Sequence, residues 1–153
     1  MFRLISTSTL FVCLAMPLSA QLANEASQIR EKYGPQIGWN QLLRLLEDRD
    51  CVHFPCEIRF DAEPLLAGEF AHAQQKGQRS EEGFTIYVHP RYAGELARVP
   101  YLVLYQLVLI NYGACATADD AEMFGSRALG LTRDEYYAAL CELSGQIAGD
   151  DLM

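Results

Sequence analysis

The sequence lacks the residue patterns from which catalytic and metal sites are usually built. It holds three histidines, and no two of them have the spacing that puts two ligands on one face of a helix. It contains neither a G-x-S-x-G nucleophile motif nor the glycine spacing of a phosphate-binding loop. We therefore find no intact set of catalytic residues, and we expect no metal site and no cofactor.

Long hydrophobic runs are scarce, and the most prominent one, residues 4–16, follows a short basic start at residues 1–3. Small residues then lead up to Ala20, so the first 20 residues have the layout of a secretory signal peptide that is cleaved after Ala20. The alternative is an N-terminal helix or strand that is buried in the fold. A later run, 101–110, is interrupted by Gln106 and is too short to span a membrane. We therefore predict a soluble mature chain in the periplasm or outside the cell.

Basic residues are outnumbered, because the chain has 12 Lys and Arg against 20 Asp and Glu, a net charge of −8. Removal of residues 1–20 takes away one arginine and no acid, which leaves a charge of −9 on 133 residues. Such a charge repels nucleic acid and anionic membranes, and it favours either simple solubility or a basic protein partner. The length fits one domain at residues 21–148, followed by a flexible tail at 149–153.

Cysteine is scarce as well, and four cysteines follow the predicted cleavage site: Cys51, Cys56, Cys115 and Cys141. An even number of cysteines in an exported chain predicts two disulfides, for which three pairings are possible. We favour 51–56, which would close a tight loop, together with 115–141, which would join two helices. The alternative, half of a metal site, is weaker because no second cysteine pair or histidine pair completes it.

The hydrophobic patterns predict an α+β domain in which a small antiparallel sheet of about three strands packs against a mostly helical bundle. Residues at helical spacing predict helices near 24–32, 39–50, 101–112, 117–129 and 132–147. Alternating or β-branched residues predict strands at 57–60, 70–73 and 84–89, and the last two would form a hairpin. Because the helix 101–112 is apolar on nearly every side, we expect it at the centre of the core.

The order of these elements, together with three sequence segments, resembles the gluzincin-like zinc metallopeptidases over roughly residues 55–130. The segment Phe84-Thr85-Ile86-Tyr87-Val88-His89-Pro90 is similar to the strand that lies along the substrate cleft in that family. Residues 104–111 stand where the family carries its H-E-x-x-H motif, and residues 121–130 are similar to the helix that supplies the third zinc ligand. The resemblance implies a zincin-like arrangement with a peptide cleft between the strand and the helix.

The diagnostic residues of that family are absent at the matching positions. Tyr105 and Leu109 stand at the two histidine positions, Gln106 stands at the glutamate position, and Glu122 matches the third ligand. Leucine has no lone pair, the phenol of tyrosine is protonated at neutral pH, and glutamine cannot take a proton from water. On this alignment the chain is a metallopeptidase-like pseudoenzyme, whereas the alternative is an ordinary core helix at 101–112.

The sequence thus predicts a non-catalytic domain of a bacterial-type cell envelope that binds another protein or a peptide, and a basic partner would suit its negative charge. The strongest strand signal, 84–89, suggests how such a partner would bind. We expect the partner to add a strand along an exposed edge that is formed by Phe84, Ile86 and Val88.

Two other classes of function stay open. One is a small periplasmic, metal-dependent hydrolase with ligands from distant segments, such as His72 and His89 across the hairpin together with Glu122. The other is a structural accessory of an envelope complex, which predicts a constitutive oligomer. In each case we expect no nucleic acid partner and no membrane span.

Overall fold

The computed structural model describes residues 17–151, and within that range the chain has five α-helices and three β-strands. In chain order they are α1 (Leu18–Tyr33), α2 (Trp39–Leu46), β1 (Cys56–Phe60), β2 (Ala71–Gln75), β3 (Phe84–Val88), α3 (Val99–Tyr112), α4 (Ala118–Leu129) and α5 (Arg133–Asp151). The predicted α+β class is confirmed. The hydrophobic run 4–16 of the predicted signal peptide lies outside the described residues.

The three strands form one mixed sheet in the order β1-β3-β2. β2 and β3 pair antiparallel, with Ala73 opposite Ile86, so the predicted hairpin is confirmed. β1 pairs with β3 in parallel, with Ile58 opposite Ile86. The prediction of a wholly antiparallel sheet was therefore wrong. β3, the second strand of the hairpin, lies between β1 and β2, and it runs in the same direction as β1.

The apolar helix α3 lies at the centre of the core, as the sequence predicts. All of its residues except Tyr101 are buried, because β2 and β3 pack on one side while α4 and α5 pack on others. Pro100 stands in the first turn of the helix, where no backbone N–H is needed. Among residues 17–151, no helix has the length and apolar character needed to cross a membrane.

The start and the end of α4 follow from local sequence signals. Thr117 Oγ1 accepts a hydrogen bond from Asp120 N (3.2 Å), and Asp120 Oδ2 accepts one from Thr117 N (2.9 Å), which forms a reciprocal cap. Gly130 ends the helix with a φ of 72°, a left-handed conformation that favours glycine. Thr132 and Glu135 form the same kind of cap at the start of α5.

The last helix continues further than the sequence predicts. The sequence predicts this helix to about residue 147, but α5 extends through Asp151. A single glycine at position 149 lowers helix stability by only about 1 kcal/mol, which is not enough to end a helix without a cap.

Two polar clamps fix the segment that leads into β1. Asn111, near the end of α3, is 7% exposed and donates from Nδ2 to the backbone carbonyl of Cys51 (3.0 Å). Asp48, just after α2, accepts hydrogen bonds from Lys32 Nζ (2.5 Å) and Tyr33 OH (2.7 Å) at the end of α1. The approach to β1 is therefore fixed by bonds to two helices, α1 and α3, as well as by the pairing of β1 with β3.

Candidate functional site

The strand that the sequence offered as a binding edge is the central strand of the sheet. β3 has β1 on one side and β2 on the other, and Phe84, Ile86 and Val88 are each 0% exposed. The prediction of a peptide-binding edge at these three residues was therefore wrong. An apolar, β-branched pattern identifies a well-buried strand, and such strands belong in the middle of a sheet, where both neighbours are already present.

The margin of the sheet at β2 is covered. Ala71 and Ala73 are each 1% exposed, and Gln106 of α3 donates from Nε2 to the backbone carbonyl of Ala71 (3.4 Å). Beside this strand the rings of Phe70 and Tyr105 meet edge to face at 6.3 Å. A partner strand has no access to these alanines, because α3 and its aromatic contacts occupy the space beside them.

The margin at β1 is open. At the two ends of β1, Pro55 O accepts a hydrogen bond from β3 and Asp61 N donates one to β3. These two bonds show which residues of β1 direct their backbone groups towards β3. Along a parallel pair these bonds alternate, so Cys56, Ile58 and Phe60 direct their N–H and C=O groups away from β3. Within residues 17–151 these outward groups have no hydrogen-bond partner. All three residues are partly exposed.

A charged surface adjoins this margin on the face of the sheet that points away from α3. Glu57 Oε1 lies 3.3 Å from Lys76 Nζ, 3.3 Å from Arg59 Nε and 3.2 Å from Thr85 Oγ1. The hydrogen bond from Lys76 is the main reason why the pKa of Glu57 lies below its ordinary value. With Tyr87, these residues line a concavity of about 360 Å³. A strand added to β1 would pass along one side of it.

The positions that match the metallopeptidase motif are buried rather than set in a cleft. Tyr105, Gln106 and Leu109 are 4%, 2% and 2% exposed. Glu122 faces α5, where Arg133 Nη2 donates to its Oε2 at 3.0 Å. A ligand cannot reach the three α3 side chains without opening the core. The peptide cleft that the resemblance implies is therefore absent at these positions.

Electrostatics around Tyr105 also disfavour a role as an anionic ligand. Burial and, to a smaller extent, the nearby carboxylates of Glu122 and Asp119 together raise the pKa of Tyr105 to about 12. Next to it, Tyr136 donates from its hydroxyl to the backbone carbonyl of Tyr101 (2.5 Å), and burial raises the pKa of Tyr136 as well. Both phenols stay protonated at neutral pH.

The histidines do not form a site of the kind considered above. Among the described residues, no group of three His, Cys, Asp or Glu side chains is placed to hold a metal ion, so His72, His89 and Glu122 do not make one. In the hairpin register His72 lies opposite Tyr87 rather than His89. The spacing of His72 and His89 along the chain allowed the two histidines to face each other across the hairpin, but the strand register rules this out.

The four cysteines Cys51, Cys56, Cys115 and Cys141 are all free, so the predicted pairs 51–56 and 115–141 are not formed in the structure. Cys51 is buried and directs its sulfur to Asp48 Oδ2 (3.7 Å). Cys56 is the first residue of β1, whereas Cys51 lies in the segment before this strand. Cys115 and Cys141 are exposed.

The open margin at β1 is the feature that sequence reasoning missed, although a signal for it was present. The segment Glu57-Ile58-Arg59-Phe60 alternates charged and apolar residues, which is typical of a half-exposed strand at the side of a sheet. β3 shows a nearly continuous apolar run instead. Comparison with protein-family models, curated proteins and solved structures gives no match for this chain, so the site is interpreted from its geometry.

Proposed function

We propose that the chain is a non-catalytic, exported domain that binds a polypeptide segment by strand addition along β1. One observation carries this proposal: the row of outward N–H and C=O groups at Cys56, Ile58 and Phe60 that have no partner among the described residues. In strand addition, main-chain hydrogen bonds supply affinity, and the side chains on both faces supply specificity.

The surroundings of β1 indicate what kind of segment would fit. On one face, the half-buried rings of Trp39 and Phe60 lie 6.1 Å apart and offer apolar contact. On the other face are the charged side chains of Glu57 and Arg59. The net charge of −8 favours a basic partner. A segment that alternates apolar with polar residues and carries a positive net charge meets all three conditions.

The absence of catalysis and the relationship to metallopeptidases are parts of the same proposal. The relationship rests on the order of the elements and on the sequence segments alone. The absence of catalysis is supported by the burial of Tyr105, Gln106 and Leu109, which lack both zinc-ligand groups and a general base. Elemental analysis of the purified protein tests this part. We expect less than stoichiometric zinc after dialysis, and a stoichiometric ion that survives dialysis would contradict the pseudoenzyme.

Export is proposed on the layout of residues 1–20, and the fold is compatible with it. A cut after Ala20 leaves the buried residues of α1, Leu22, Ala26 and Ile29, in place. The full chain, produced in a Gram-negative host, should appear in the periplasm with Gln21 at its N-terminus. Uncut protein in the cytoplasm would contradict this part without touching the binding site.

Strand addition is tested by a matched pair of substitutions at one residue. Ile58→Ala and Ile58→Pro both remove the isoleucine side chain, but only proline removes the outward N–H and blocks the approach of a partner strand. Proline should be tolerated there, because this N–H does not bond to β3. Urea unfolding of both variants checks that each is folded.

The probe is a library of random dodecapeptides displayed on phage and selected on immobilised residues 21–153. We expect enriched peptides that bind the wild type and Ile58→Ala with similar affinity and bind Ile58→Pro at least about tenfold more weakly. Enriched peptides that bind both variants equally would overturn strand addition at β1. A failure to enrich any peptide over several rounds would also count against the proposal.

A further inference from the structure

The open strand β1 reads Cys-Glu-Ile-Arg-Phe, with opposite charges placed symmetrically about Ile58. Glu57 and Arg59 lie on the same face of the sheet, and their side chains are 39% and 64% exposed. Ile58 itself directs its N–H and C=O outward. A strand with this arrangement is complementary to itself when it runs in the opposite direction.

We propose that β1 of a second copy pairs antiparallel with β1 across a two-fold axis at Ile58, so that the two sheets join into one. Opposite residues in this pairing are Cys56 and Phe60, Ile58 and Ile58, and Glu57 and Arg59 of the two copies. Each outward-facing residue exchanges both of its backbone hydrogen bonds with the residue opposite. Such two-fold pairing uses the same surface on both subunits.

The charges select this register over its neighbours. With Ile58 opposite Ile58, each Glu57 lies across from an Arg59, and opposite charges at such positions stabilise a pair of strands. Sliding one strand by two residues in either direction puts Glu57 opposite Glu57, or Arg59 opposite Arg59. Sliding by one residue brings the wrong backbone groups together. One register therefore satisfies the hydrogen bonds and the charges at the same time.

This inference rests on the proposed function, because the second copy and a bound polypeptide would use the same backbone groups of β1. The dimer would therefore be an inactive reserve that releases its binding edge on dilution. A peptide that binds β1 should shift the protein towards the monomer, since it removes monomer from the equilibrium.

Sedimentation velocity of residues 21–153, from micromolar to millimolar concentration, tests the pairing. We expect reversible dimers of the wild type, and we expect Arg59→Glu to weaken them at least about tenfold, because two attractive cross-strand pairs become repulsive. Arg79→Glu is the matched control: it makes the same charge change at an exposed residue in the loop between β2 and β3. Circular dichroism confirms the fold of each variant.

A mixing experiment makes the test specific for charge across the strands. Arg59→Glu gives a strand with two acids, and Glu57→Arg gives a strand with two bases, so an equimolar mixture should form heterodimers that neither variant forms alone. If Glu57→Arg does not fold, because Glu57 also contacts Lys76, the comparison of Arg59→Glu with Arg79→Glu decides. Equal association of these two variants would overturn the inference.

The outcomes separate this inference from the proposed function. A wild type that stays monomeric at all concentrations, while its peptides still distinguish Ile58→Pro from Ile58→Ala, refutes the dimer and leaves strand addition standing. Charge-dependent dimers with no enriched peptide support the pairing and refute the binding of other polypeptides.

Discussion

The two margins of the sheet are strands of equal length, yet they differ in what lies beside them. At β2, Ala71 and Ala73 are 1% exposed, and Gln106 of α3 holds the carbonyl of Ala71. At β1, Cys56, Ile58 and Phe60 are partly exposed, and their outward backbone groups have no partner in the described part of the chain. One margin is sealed by the core helix, while the other faces solvent.

This difference shows that the packing of the helices, rather than the sequence of a strand, decides whether a partner can pair with that strand. α3 is apolar on all sides and therefore has to lie in the middle of the core, and this position brings it against β2 and β3. Among residues 17–151, no helix packs along the outer side of β1 as α3 packs against β2. A search for a partner of this protein should accordingly begin at β1.

The largest effect is expected from a charged side chain placed at the covered margin, β2, and a small effect there would contradict the comparison. Ala73→Glu should destabilise the fold by about 5 kcal/mol, because a buried carboxylate there has no partner. Gln74→Glu is the matched control on the neighbouring, exposed residue of β2, and we expect a change within about 0.5 kcal/mol. Urea unfolding measures both. Similar small effects for the two variants would mean that the margin at β2 is open too.

The next effect compares two isoleucines that face each other across β1 and β3. Ile86→Ala should cost about 3 to 4 kcal/mol, because Ile86 is 0% exposed and its loss leaves a cavity. Ile58→Ala should cost about half as much, since Ile58 is partly exposed and solvent can fill part of the space. The midpoint of urea unfolding gives both values, and an equal loss would show that β1 is as deeply packed as β3.

These two isoleucines also show how far the sequence could predict the fold. Ile58 and Ile86 both lie in recognisable strands, because alternation and β-branching are local signals. The caps of α4 and α5 and the central place of α3 were predictable for the same reason. Which strand lies in the middle depends on pairings between segments far apart in the chain. The prediction of the binding edge failed at that step.

The candidate site was less predictable than the fold. The apolar pattern of residues 101–112 predicted a helix that carries Tyr105 and Gln106, but it could not show that packing leaves them 4% and 2% exposed. The bond from Arg133 to Glu122 joins residues of two helices, and no spacing rule points to it. Spacing identifies neighbours on one element, whereas a site also needs the geometry between elements.

A smaller effect concerns the clamp that positions the approach to β1. The hydrogen bonds from Lys32 and Tyr33 lower the pKa of Asp48 to about 2. In the unfolded chain the pKa of an aspartate is about 4, so the ionised Asp48 stabilises the folded state fully above about pH 4. This contribution is lost as the pH falls towards 2 and Asp48 becomes protonated. Asp48→Asn should cost about 1 kcal/mol at pH 7, because the half-exposed Lys32 is screened by solvent.

Urea unfolding of the wild type and Asp48→Asn at pH 7 and near pH 2 checks this prediction. The difference between them should shrink in acid, and Asp50→Asn, an exposed neighbour, should behave as the wild type does at both pH values. A difference that is constant with pH would mean that the charge of Asp48 does not stabilise the clamp.

The smallest effect, which changes no stability, concerns which thiols can react. Cys56 contributes its backbone to the open margin, but its sulfur points towards the core, where burial raises the pKa of this thiol to about 12. Burial and the nearby Asp48 raise the pKa of Cys51 to about 11. Few thiolates form at these two sites near pH 8, whereas Cys115 and Cys141 are exposed. Titration of residues 21–153, which lack Cys13, with a chromogenic disulfide should therefore detect two fast thiols, and two more after unfolding. Four fast thiols would mean that the opening at β1 extends around to the core face, and none without a reductant would restore the two predicted disulfides.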